Sequence, residues 1–192
     1  MDFDEAQPDL LSPLRDLDLV RHLIADLHDD LSGKIVRFRQ LVDLSGALGS
    51  SGTMLFGGET TLAAWREARW CYIHGNYMGT VMLCQGLIEH LLAAFLQAGL
   101  LIDDMPARIS FSDTLRRCEE RGVFLKRDGE DLRRLMGLRN PLSHFRNLDD
   151  PSNLSRRVLD TMLPAGDHLH QDATFAIGLA VRMLALPAFR LG

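Results

Sequence analysis

Between Tyr77 and Ala98 nearly every non-polar position is Met, Val, Leu, Ile, Ala or Phe. A helix apolar around that much of its circumference must lie in the middle of a bundle, so the rest of the chain has to be built around it. Elsewhere apolar residues recur at helical spacing, and no stretch shows the sustained alternation of a half-buried strand. An all-α fold follows. The chain has 192 residues, the size of one ordinary domain, and its 46% hydrophobic and 24% charged content supplies a sizeable core. The longest apolar run, Leu91 to Ile102 with Gln97 inside it, falls short of the ~18 residues that cross a bilayer. No basic leader opens the sequence, so cytoplasm is the expected compartment and no membrane is an expected partner. Cys71, Cys84 and Cys118 are too far apart for a CxxC pair and odd in number, which fits reduced, buried thiols.

The spacing predicts the elements in order. Ser12 and Pro13 form a helix start, and Leu14, Leu17, Val20, Leu23, Ile24, Leu27 and Leu31 mark one face of a helix that Gly33 would end. A shorter helix with Ile35, Val36, Phe38, Leu41 and Val42 precedes a Gly- and Ser-rich stretch, residues 45 to 58, expected to be a flexible connector and the best internal boundary. Residues 1 to 58 are therefore taken as a helical N-terminal extension and 59 to 192 as the main helical domain. Beyond it come helices over 59–74 and 77–98, one capped by Ser110 or Ser112, one capped by Asp128 and interrupted by Pro141, and a last one over 167–186 stopped by Pro187. The apolar content of the central and last helices exceeds what one small bundle readily hides, and this predicts a homodimer, to which the N-terminal extension can contribute.

Charge is unevenly placed. From Arg116 to Arg157 there are 11 Lys and Arg against 7 Asp and Glu, +4 in a chain whose net charge is -5. Within that segment residues 135 to 146 read LMGLRNPLSHFR. Arg139 and His144 have four residues between them, with Asn140 directly after the arginine. Arg15 with His22 and Arg21 with His28 also pair an arginine with a histidine, at six intervening residues, so spacing alone is a weak signal. Context singles out the later pair. Five residues of continuous α-helix would set the two side chains about 140° apart, whereas a break at Pro141 would let both turn toward one pocket. The same two cations would also suit the negative end of a helix, as a purely structural closing pair.

This segment, together with the long apolar helix containing GLIEHLLAAFL (86 to 96), resembles the HEPN superfamily, whose catalytic members carry an Arg, four to six residues, and a His. The resemblance covers roughly residues 59 to 186. It implies a HEPN-like helical bundle and a metal-independent endoribonuclease, without cofactor, in which a 2′-hydroxyl attacks the neighbouring phosphorus. His144 would move the proton and Arg139 would stabilise the developing phosphoryl charge. Asn140 and Ser143 would orient the substrate, and Arg146 would contact a phosphate. The resemblance also implies a toxin of a toxin–antitoxin or phage-defence system, with RNA as substrate, a homodimer that juxtaposes two sites, and an antitoxin or regulatory protein as partner. The alternative within the same family is a non-catalytic module that binds a nucleotide, an RNA or a protein. Glu89 and His90 on the central helix are weaker candidates for the pocket. His168 and His170 lack the further ligands of a metal site, and the glycines of residues 46 to 58 lack the strand and GK[ST] ending of a phosphate-binding loop.

Overall fold

The computed structural model describes residues 16–49, 52–99, 106 and 108–190. It is all-α: α1 (Asp16–His28), α2 (Leu31–Ser45), α3 (Gly58–Ile73), α4 (Tyr77–Ala98), α5 (Phe111–Glu120), α6 (Lys126–Ser143), α7 (Leu154–Thr161) and α8 (Ala165–Leu184), with 3-10 turns at Gly46–Leu48 and Pro187–Phe189. Among the described residues there is no strand, only an isolated bridge between Thr53 and Arg190.

α4 takes the central position its composition requires. Val81, Cys84, Leu87, Ile88, Leu91, Leu92 and Leu96 are all fully buried, with α3 and α8 packed along it. Its 22 residues and mean hydropathy of 1.5 over the most apolar window reach the length and composition of a membrane span, although Gln85, Glu89 and His90 interrupt its apolar runs. Half of that window is buried inside the bundle, as in the core helix of a globular fold. Burial also pushes the Cys84 thiol far up and the Cys118 thiol up to about 12.

Contacts at the helix ends fix the directions. Tyr77, at the start of α4, lies against His170 near the start of α8, and Phe95, near the end of α4, lies against Phe189 just beyond α8, so these two helices run parallel. α6 runs the other way, because Arg182 near the end of α8 pairs with Asp128 and Asp131 in the first turns of α6. The last turn of α6 is thereby brought to the end of the bundle where α4 and α8 begin.

Several boundaries follow local chemistry. The Asn76 side chain accepts from Gly79 N–H to cap α4, and Ser110 accepts from Asp113 N–H to cap α5. Gly75, at φ 78°, makes the turn between α3 and α4 in a region closed to most side chains. Three expectations are corrected. Gly33 does not end the first helix: the break falls at Asp29 and Asp30, where Asp30 is left-handed and its carboxylate caps α2 by accepting from Gly33 N–H at 3.2 Å. Gly33 is needed for close approach instead, since a Cβ there would lie 2.3 Å from that carboxylate oxygen. Asp128 sits three residues inside α6, where its carboxylate accepts from the Leu125 N–H that precedes the helix. Finally, the described end of the Gly- and Ser-rich stretch is tied down: Met54 N–H donates to Phe189 C=O at 2.7 Å, and the Phe56 ring meets Phe95 and Phe189 edge-on. Ser12, Pro13 and Leu14 lie outside the described residues.

The N-terminal helices divide in behaviour. α2 enters the common core through Leu41, 2% exposed, while no described side chain of α1 is buried. Arg37 fastens α2 to the bundle. Its guanidinium donates to Ile73 C=O at 2.9 Å, to the Tyr77 hydroxyl at 3.3 Å and to the Asp30 carboxylate at 2.8 Å.

Candidate active site

Pro141 does not interrupt α6, which continues through it to Ser143. A proline in the last turn removes one hydrogen-bond donor, but the turn closes around it because His144 N–H still reaches Asn140 C=O at 3.0 Å. The chain leaves the helix at His144, whose φ and ψ of -130° and 136° are extended. The five-residue helical offset between Arg139 and His144 is therefore largely kept, and the two side chains share the end of α6 without a hydrogen bond between them.

Neither side chain closes the helix. The carbonyls of Arg139 and Asn140 receive the Ser143 hydroxyl at 3.4 and 3.3 Å, so the local bonding is supplied by serine and backbone. Among the described residues the Arg139 and His144 side chains have no hydrogen bond, ion pair or ring contact, and neither does the Asn140 side chain. The surrounding arginines are mostly engaged. Arg133 pairs with Glu119, Arg156 with Asp160 and Arg157 with Asp172, while Arg134 lies over the Phe175 ring. Arg146 stands 3.8 Å from Asp150. The Asp150 carboxyl is held below its ordinary range first by the Ser152 hydroxyl, then by the Ser152 N–H and the Arg146 charge.

A cavity of about 550 Å³ opens beside the motif, between α6, α7 and α8. Leu138, Pro141, Ser152, Arg157 and Gln171 are among its lining residues, and Arg139 and His144 are not. Glu89 is also remote: twelve residues along α4 from Tyr77 is about 18 Å of helix, away from the end where α6 finishes. His168 is committed elsewhere. The Thr161 hydroxyl donates to Arg157 C=O, so His168 Nε2–H donates to Thr161 at 2.8 Å, leaving Nδ1 to accept from Arg157 at 3.5 Å.

The sequence reading passed over Phe145. It follows His144 directly and is 93% exposed, the most exposed large apolar side chain among the described residues. An aromatic residue immediately after the motif histidine in a polar segment was the available signal. The chain matches no known family model, no curated protein and no solved structure.

Proposed function

We propose that this chain is a metal-independent endoribonuclease of the HEPN type, working in the cytoplasm as the toxin of a toxin–antitoxin or phage-defence system. The observation that supports this reading is the state of Arg139 and His144: a guanidinium and an imidazole at one helix end, unengaged in a segment where most neighbouring arginines have partners. A structural pair would spend those donors on the fold. In the proposed reaction His144 accepts the proton of the attacking 2′-hydroxyl, or returns one to the departing 5′-oxygen, while Arg139 binds the phosphoryl oxygens as charge builds. Asn140 has a free amide for the substrate. The Ser143 hydroxyl points back to its own helix, which suits a positioning role, and Phe145 offers a ring on which a base can stack.

The test is cleavage of single-stranded RNA in EDTA. His144→Ala and Arg139→Ala should each lower the rate by about two to four orders of magnitude with unchanged helicity. The product should end in a 2′,3′-cyclic phosphate, and a 2′-deoxy substitution at the scissile position should abolish cutting. Phe145→Ala should weaken RNA binding by about 1–3 kcal/mol, seen as a raised KM with kcat kept. Wild-type protein that binds RNA without cleaving it would move the reading to a non-catalytic module.

A further inference from the structure

We propose that the apolar faces of α1 and α2 form an isologous dimer interface with a second copy of this chain. The proposal is independent of the nuclease reading. Its first ground is spacing. Leu27, Ile24 and Val20 stand four, seven and eleven residues before Leu31, and Ile35, Phe38 and Val42 stand at the same intervals after it. These three- and four-residue steps keep Val20, Ile24 and Leu27 on one face of α1, and Leu31, Ile35, Phe38 and Val42 on one face of α2, on either side of the break at Asp29 and Asp30.

The second ground is exposure. These seven side chains are 45–59% exposed, although intervening Arg37 and Leu41 are buried against the bundle. α8, by contrast, leaves no large apolar residue exposed and α4 leaves only Met78 and Met82. The surplus apolar surface therefore belongs to α1 and α2, and not to the central and last helices from which a dimer was expected. With four further exposed residues, Leu17, Leu19, Leu23 and Val36, the face offers on the order of 1,000 Å² per copy, against about 800 Å² in a standard stable interface. A 13-residue helix with no fully buried residue is also marginal in water, so α1 needs a cover.

Charge indicates the occupant. From Asp16 to Asp30 there are five Asp and one Arg, and from Leu31 to Ser45 there are two Arg and one Lys against one Asp. With Arg37 and Asp30 paired within one chain, α1 and the turn after it keep four Asp against Arg21, and α2 keeps Lys34 and Arg39 against Asp43, so a second copy can set its acidic α1 against the basic α2. An anionic membrane surface would be repelled by the acidic half.

Light scattering on the full chain at micromolar concentration should give twice the 21.5 kDa chain mass. Ile24→Asp and Phe38→Asp, both at half-exposed positions, should each return a monomer whose thermal unfolding is otherwise preserved and whose helicity falls by about the share of α1. A wild-type monomer, or a dimer untouched by both Asp variants, would overturn the interface. The first of these outcomes would mean that another part of the chain or a different protein covers the face.

Discussion

Arg37 bonds to three segments at once: the end of α3 through Ile73, the start of α4 through Tyr77, and the break before α2 through Asp30. Arg37→Ala would leave the partly buried Ile73 carbonyl unpaired and free α2 from the turn it grips. A loss of about 2–4 kcal/mol in chemical denaturation is expected, with only part recovered by Arg37→Lys, because an ammonium cannot reach all three acceptors. The Arg37 hydrogen bond, with its charge, holds the Asp30 carboxyl below its usual value. A carboxyl depressed in the folded state contributes fully above its unfolded value near pH 4 and loses that contribution as pH falls through the lowered folded value. Acid titration followed by circular dichroism should therefore show a loosening below about pH 4 that Asp30→Asn, already without the charge, lacks. Nothing in the sequence distinguishes Arg37 from its neighbour Arg39; only the packing of α2 on the α3–α4 turn selects one.

At the level of elements, α7 has no buried residue and is held to α8 by polar bonds. Arg157 grips Asp172 with both its nitrogens, and Thr161 receives His168. Asp172→Ala should destabilise the protein by about 2–4 kcal/mol, since it strands a partly buried guanidinium. Hydrogen exchange should rise in α7 before the rest of the bundle opens. Such a helix is hard to read in advance, because eight residues held by side-chain bonding leave little apolar period. The central helix, by contrast, announces itself over 22 residues, and Asn76, Gly75 and Ser110 mark their boundaries because capping is local chemistry. The break at Asp29 and Asp30 was misplaced for the opposite reason: a left-handed aspartate carries no glycine or proline to flag it, although an Asp three residues before Gly33 is a capping signature. Pro141 misled as well, because the penalty for a helical proline depends on how many turns follow it, and here the helix ends two residues later. Arg139 and His144 were legible as residue types at a spacing. Their freedom from partners was not, since it depends on Ser143 and the backbone satisfying the helix end instead.

Across the whole molecule, residues before Glu59 share in the core through Leu41 and Phe56, so removing residues 1 to 58 should do more than trim an appendage. Losing Leu41 alone is comparable to a core Leu→Ala change of about 2–5 kcal/mol, which for a chain of this size lowers Tm by at least ~5 °C in a calorimetric scan. The clasp near the C-terminus has a further consequence, for the order of events in folding. The Arg190 guanidinium bonds the Thr53 hydroxyl across 137 residues of sequence, and the Phe56, Phe95 and Phe189 rings meet beside it. Contacts that close so long a loop cost entropy that must be met before they repay anything, whereas the α3–α4 hairpin forms from neighbours. The clasp should therefore be absent from the transition state: Phe56→Leu should speed unfolding in proportion to its destabilisation while leaving the refolding rate of the chain nearly unchanged.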